Sequence, residues 1–539
     1  VSVAERAPDA ATVDAATVDA ATSDAAAELR AAAAGPLARA LPSAWLEAHL
    51  VLPIAVEDGA LRVAAGAEPD ATVLDALARR FSHPVRLVRV APQDLRAAVL
   101  AAREGPSHPI DALIGEEAAD VDGATRAGDD DGGRLRALAD EAPVVTVVDA
   151  LLRDALRLGA SDVHLESAPD GVRVRFRLDG VLQDVQRVAP ALRPGVVSRV
   201  KVLAGLDVAE RRLPQDGRAR VRVATADGVA REVDLRVATL PALHGESVVL
   251  RVLDHGGSAR DLATLGMPDA VRERFARVLT RPTGLVLVTG PTGSGKTTSL
   301  YAALARVAAP GVKVVTVEDP VEYRMSGVVQ VAVQPKVGLT FASALRAILR
   351  HDPDVVLVGE MRDRETAETA VQAALTGHLV FSTLHTTDAV GGVARLADMG
   401  VERYLIAATV HAILAQRLVR VLCDACARPD TPDASQLALL SASAADGQDD
   451  APDAPRWRRA VGCAACAGTG FRGRTGIYEL LVVGEALRAA IAAGAPLDAL
   501  RARARRDGLL PLASDGLRLA RAGRTTLDEV LRVAHRDDA

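Results

Sequence analysis

Nine consecutive residues, Gly290, Pro291, Thr292, Gly293, Ser294, Gly295, Lys296, Thr297 and Thr298, satisfy the phosphate-binding pattern G-x-x-x-x-G-K-[ST]. In that pattern glycines let backbone N–H groups turn toward one anion. A lysine reaches the β- and γ-phosphates, and a hydroxyl ligates Mg2+. Lys296 and Thr297 hold those last two places. Further along, Glu318, Asp319 and Glu322 form an acidic cluster, followed by Glu360 and His385. Mg2+ takes hard oxygen ligands, so Glu360 is a candidate second ligand beside Thr297. The cluster could orient or deprotonate an attacking water. Crowded carboxylates raise one another's pKa, and a bound cation relieves that. His385 could hydrogen-bond a γ-phosphate, although a lone histidine at a strand end is more often structural.

The four cysteines form two C-x-x-C pairs, Cys423/Cys426 and Cys463/Cys466, with 36 residues between them. Each pair can hold one edge of a tetrahedron, and four thiolates with no open position make a structural zinc site. Free thiols and redox pairs are the alternatives. The intervening Ala427–Ala460 is rich in Asp, Ala and Ser and reads as a loop whose ends zinc would staple.

These groups are only as useful as the elements that position them. Leu285–Thr289 is a short apolar run of branched residues, the pattern of a buried parallel strand, and Ser299–Arg306 reads as a helix. The glycines therefore fall at a strand-to-helix turn, where a helix N-terminus favours an anion. Lys313–Tyr323, Asp354–Asp363 and His378–His385 each read as an apolar strand ending in acid or histidine, with helices expected over Phe341–Leu349 and Glu365–Thr376. Strands alternating with helices imply an α/β domain built on a mostly parallel sheet. Such sheets bind ligands at the carboxyl ends of their strands, where the loop, Glu318, Glu360 and His385 all fall.

Upstream, residues 1–35 read as a disordered acidic tail, with Asp-Ala-Ala-Thr recurring at Asp9, Asp14 and Asp19. Residues 36–104 read as a small α/β docking domain. It has helices over Trp45–Leu52 and Val73–Arg80 and strands at Leu61–Ala64 and Pro84–Val90. Residues 105–142 read as a flexible linker. A second domain follows over 143–254, with a helix at Val144–Leu158, several strands and a hairpin signal at Asp179-Gly180. Arg173, Arg175 and Arg177 alternate with apolar residues and share one sheet face. Most strand arginines of this domain suit a solvated face. The sharper reading has some of them reach a nucleotide on a neighbouring domain or subunit.

A chain of 539 residues suggests three or four domains. Its net charge of −6 and 2% aromatic content speak against a nucleic-acid channel, which needs basic groups and stacking rings. No run approaches the ~18 apolar residues of a membrane span. The acidic, alanine-rich start carries no secretory signal.

Taken together, Arg212–Arg218, Gly290–Thr298, Thr316–Tyr323, Leu349–Glu360, Thr376–His385 and Gly473–Leu480 resemble the type II secretion ATPase family, over about 143–535. The resemblance implies a PAS-like domain followed by a RecA-like P-loop motor domain over 255–539. That range includes a zinc module at 421–478 and C-terminal helices at 479–539. It implies a Walker A motif at 290–298, Glu318 and Glu322 in an aspartate box, Glu360 in Walker B and His385 in a histidine box. It also singles out Arg218 and Arg236 as nucleotide-contacting arginines. His351 departs from the pattern, since relatives often carry glutamine there. The implied cofactors are ATP, Mg2+ and Zn2+. The implied assembly is a cytoplasmic homo-hexamer, peripherally attached to the inner membrane and docked on secretion-platform proteins through its N-terminal domains. Its work would be pseudopilus extension. A type IV pilus extension ATPase shares the pocket and stays open as an alternative. From other classes, a DNA translocase and a non-hydrolysing scaffold share only parts of the pattern.

Overall fold

The computed structural model describes residues 131–224, 230–253, 261–443 and 455–534, most of 49–98 and a few positions between 29 and 46. It divides into two units, Val1–Thr125 and Arg126–Ala539.

In the first unit, strands β1 (Val51–Glu57), β2 (Ala60–Ala65) and β3 (Val85–Arg89) lie in that order, with helix α1 (Ala71–Phe81) between β2 and β3. Val73 and Leu77, one turn apart, bury the apolar stripe of α1 with Leu61 and Val63. The helix expected over Trp45–Leu52 overruns: Leu50 turns at φ 46, and Val51 and Leu52 open β1. The branched Val51, Ile54 and Val56 favour the strand. Trp45, Glu47 and Ala48 lie outside the described residues. The tail expected over 1–35 also ends early, because Leu29 and Ala32 are buried with Leu46 and Leu52. Residues 1–28 lie outside the described residues.

The second unit opens with a correction. Of the linker expected over 105–142, residues 105–130 lie outside the described residues, but Asp131–Ala139 is a helix, α2. Leu135 and Ala139, four apart, give it a buried stripe that the Gly/Asp-rich start of the segment hides. Helices α3 (Ala142–Leu158) and α4 (Arg193–Leu203) follow. They pack against an antiparallel sheet of β4 (Asp162–Ala168), β5 (Gly171–Leu178), β6 (Val181–Val188), β7 (Gln215–Ala224), β8 (Ala230–Ala242) and β9 (Gly245–Leu253), in the order β6-β5-β4-β9-β8-β7. Val172, Val174 and Phe176 of β5 are fully buried, which puts the alternating arginines on the other face. Asp179 and Gly180 join β5 to β6 with φ values of 49 and 86, the double positive φ of a two-residue hairpin turn.

The sheet that carries the glycine-rich loop has seven strands in the order β12-β11-β13-β14-β10-β15-β18. In chain order these are β10 (Gly284–Thr289), β11 (Val314–Glu318), β12 (Val328–Ala332), β13 (Val355–Val358), β14 (Leu379–Leu384), β15 (Val410–Leu422) and β18 (Phe471–Val482). All neighbours run parallel except β18, which is antiparallel to β15. The two-residue strands β16 (Arg428–Pro429) and β17 (Arg458–Arg459) pair separately near the cysteines. Alternate β10 residues feed two cores. Leu285 and Leu287 face one; Val286 and Val288 face the other, beneath helix α5 (Lys296–Val307). Two boundaries move. The C-terminal helices expected from 479 begin at Glu485, because Glu479–Val482 complete β18, with Leu480 and Leu481 buried in opposite cores. Within the expected loop Ala427–Ala460, Ala434–Ser443 is helical, and residues 444–454 lie outside the described residues.

Candidate functional site

The phosphate-binding pattern occupies the turn between the end of β10 and the first residue of α5. Pro291, Thr292 and Gly293 are exposed at its tip, and Ser294 is buried at its base. Gly290 must be glycine: its φ is 146, and a Cβ there would lie 2.4 Å from the Gln416 carbonyl oxygen. Gln416, buried on β15, donates from Nε2 to the Ser294 carbonyl at 2.7 Å and clamps the loop to the neighbouring strand. Gln416 Oε1 and Ser294 Oγ are buried without a hydrogen-bond partner among the described residues. Buried polar atoms are rarely left so, and the loop therefore suits a polar occupant. Lys296 Nζ donates to the Gly290 carbonyl at 2.7 Å and the Pro291 carbonyl at 3.1 Å. Burial lowers the Lys296 pKa, and the nearby Glu360 carboxylate opposes that.

Glu360 lies two residues past β13 and His385 one past β14, and the adjoining strands bring them together. Glu360 Oε1 is 2.6 Å from Arg362, and its Oε2 is 3.4 Å from His385 Nε2. The turn at His385 is tied back to the loop strand, since the Thr386 N–H donates to Thr289 Oγ1 at 2.9 Å. Thr297 and Thr298 open α5, and neither side chain bonds Glu360 among the described residues.

The two glutamates of the acidic cluster have different surroundings. Glu318 is 4% exposed at the end of β11. Its Oε2 accepts from the Tyr301 hydroxyl, and its Oε1 accepts from Thr316 Oγ1 at 2.6 Å and Gln330 Nε2 at 3.3 Å. Glu322 is half-buried, and its carboxylate has no hydrogen-bond donor among the described residues. Burial raises its pKa; the Arg251 guanidinium opposes this, the Glu318 charge adds to it, and Arg236 opposes it again.

Those arginines belong to a row that crosses the second-domain sheet. Arg218 stands opposite Arg236, Arg236 opposite Arg251, Arg251 opposite Asp162, and Asp162 opposite Arg177. Like charges directly opposite destabilise a sheet. Asp162 offsets part of the row, 2.9 Å from Arg251 and 3.4 Å from Arg177. The exposed Arg218 and Arg236 have no carboxylate partner among the described residues. Arg173, Arg175 and Arg220, by contrast, pair with Asp184, Glu166 and Asp234, which is the solvated-face reading. Sequence reasoning missed Arg251 and Gln416. Strand register reveals the first; a lone amide in an apolar run was the only signal for the second.

Cys423 follows β15, and Cys463 and Cys466 precede β18. The four Sγ atoms lie within 4.8 Å of one another. Three separations are 3.7 Å (Cys463–Cys466), 3.8 Å (Cys426–Cys466) and 3.9 Å (Cys423–Cys463). A tetrahedron with Zn–S bonds of about 2.3 Å has edges of roughly 3.8 Å, so the set fits zinc. Burial would raise the Cys466 thiol, but N–H groups of Cys463 and Gly470 donate to it at 3.2 Å each and bring it down to about 7.

Residues 137–532 match the family model for type II/IV secretion system protein, and residues 12–106 match the MshEN domain model. The chain is 44% identical over 495 residues to the type II secretion system protein HxcR of Pseudomonas aeruginosa, covering 92% of this chain and 98% of that one. It is 40% identical over 493 residues to the type IV pilus assembly ATPase PilB of Myxococcus xanthus, covering 91% and 85%. Among solved structures, the Legionella pneumophila ATPase DotB aligns over 72% of this chain and 95% of that one, with a TM-score of 0.52 at 20% identity, a likeness of fold.

Proposed function

The chain belongs to the type II/IV secretion system protein family, and from that membership we propose that it hydrolyses ATP to power type II protein secretion. The observation that supports hydrolysis over mere binding is the grouping at the sheet's carboxyl edge. His385 lies 3.4 Å from Glu360 there, the Glu360 charge acts on Lys296, and the charges of Arg251 and Arg236 act on Glu322.

In this reading Gly290–Thr298 cradles the phosphates. Lys296 exchanges its two carbonyl acceptors for phosphate oxygens. Thr297 and Glu360 would hold Mg2+, which would supply charge neutralisation at the phosphates. Glu322 accepts the proton of the attacking water, because both oxygens of Glu318 are already engaged and a raised carboxyl pKa suits a base. His385 donates to the γ-phosphate. Arg218 and Arg236 approach from the second domain and neutralise charge that grows in the transition state. Cys423, Cys426, Cys463 and Cys466 hold a structural zinc ion.

The active form is a homo-hexamer that docks on inner-membrane platform proteins through its N-terminal domains and acts from the cytoplasmic side. Among the described residues no helix is long and apolar enough to cross a membrane. Phosphate release from ATP tests the core of this proposal. Lys296→Ala should abolish it, and Glu322→Gln should lower kcat by about 10²–10⁴, the range of general-base catalysis. Undiminished turnover in both variants would remove the assigned site.

The PilB relative supports a second reading, extension of a type IV pilus. Gene deletion separates the two: loss of exported protein with pili intact is the expected outcome, and loss of pili with export intact would select the alternative.

A further inference from the structure

We propose that Tyr301 is a positioning residue for hydrolysis, one that ties the helix following the phosphate loop to the segment bearing the catalytic base. This rests on the ATPase reading above and adds a residue to it.

Tyr301 sits five residues past Lys296 on α5 and is fully buried. Packing alone asks only for a ring, whereas a buried hydroxyl must find partners. Here it has two, from the elements that matter. It donates to Glu318 Oε2 at the end of β11 and accepts from Gln330 Nε2 of β12 at 3.5 Å. Its ring also meets Tyr323 edge-on, with centroids 4.4 Å apart. The next strand closes the arrangement. Gln330 of β12 donates to the Tyr323 carbonyl at 3.1 Å and to Glu318 Oε1 at 3.3 Å, while its Oε1 accepts the Met325 N–H at 2.8 Å. The segment from Asp319 to Met325 thus follows a glutamate held by the Tyr301 hydroxyl, packs Tyr323 on the Tyr301 ring and is closed by the Gln330 amide.

The consequence for catalysis follows from geometry. α5 begins at the phosphate loop, so any shift of the helix on nucleotide binding passes through Tyr301 to Glu318 and Tyr323, which flank Glu322 in the chain. Catalysis is steep in such placements: a misplacement of about 1 Å costs on the order of 100-fold in rate. Removing the hydroxyl leaves Glu318 Oε2 without its donor and leaves the phosphate loop's own contacts untouched.

The test is steady-state phosphate release with a parallel ATP-binding measurement on the full chain. Tyr301→Phe keeps the ring and the packing. We expect kcat to fall by roughly tenfold to a hundredfold, with KM and the ATP dissociation constant within about twofold of the parent. Gln330→Leu, which keeps the Tyr301 hydroxyl and its bond to Glu318, should repeat that split. Combined with Glu318→Gln, Tyr301→Phe should cost less than the product of the single effects, because both act through one network. An unchanged kcat in Tyr301→Phe, or full additivity with Glu318→Gln, overturns the inference even where Glu322→Gln is inactive and the ATPase reading stands. A parent protein without phosphate release overturns both.

Discussion

Arg236 and Arg220 lie on adjacent rows of one sheet and differ in what stands across from them. Arg220 faces Asp234 at 2.7 Å; Arg236 faces two more arginines. An exposed pair contributes little, whereas like charges in register are costly to hold, and the proposed role of Arg236 at the phosphates would be a reason to keep it. Arg236→Ala is therefore expected to lower kcat by about 10³ while leaving the melting temperature unchanged or higher. Arg220→Ala should change neither, and matched ATPase and melting curves on the two variants check both statements. Residues of this scale were legible unevenly. Lys296 and the four cysteines stand out by their spacing along the chain, and Glu360 by its place at the end of an apolar run. Tyr301, Arg251 and Gln416 do not, since each acquires its meaning from a neighbour brought in by register or by helix packing.

Elements were legible where an apolar run ends in a motif, as in β10, β11, β13 and β14. β15 was not, because His411, Gln416, Arg417 and Arg420 interrupt its apolar pattern, and β12 is an edge strand with Val329 exposed. The boundary at 479 failed for a related reason: Glu479 looks like the start of a solvated helix, yet it is buried on β18. Its two oxygens accept the N–H groups of Ala389 and Leu512, which begin two helices. Burial raises this carboxyl to about 7, with the neighbouring Asp388 adding to the effect. A carboxyl whose folded pKa exceeds its unfolded value stabilises the fold fully at low pH, and that contribution is lost as pH rises through the folded pKa. The thermal midpoint should therefore carry a downward slope between about pH 5 and pH 8. Glu479→Gln should flatten it, and melting curves across that window decide.

At the scale of the molecule, the cysteine cluster lies beside the contacts that fasten the C-terminal helices. The Leu422 N–H, next to Cys423, donates to the Arg524 carbonyl at 2.9 Å, and Arg420 pairs with the buried Glu529 at 2.8 Å. Metal analysis of purified protein should give about one zinc per chain. Chelation should lower the melting temperature and expose amides of 512–534 to hydrogen exchange before those of β10, and equal exchange in both regions would uncouple zinc from the helices.

β15 also joins two sites that have so far been described apart. Gln416 holds the phosphate loop, and seven residues later the strand delivers Cys423. At about 3.3 Å per residue, those positions are roughly 23 Å apart along one hydrogen-bonded rod. Cobalt in place of zinc would turn the far end of that rod into a coloured gauge. Its visible absorption should change when nucleotide enters at the near end, so the stroke of the motor could be followed optically without attaching a dye.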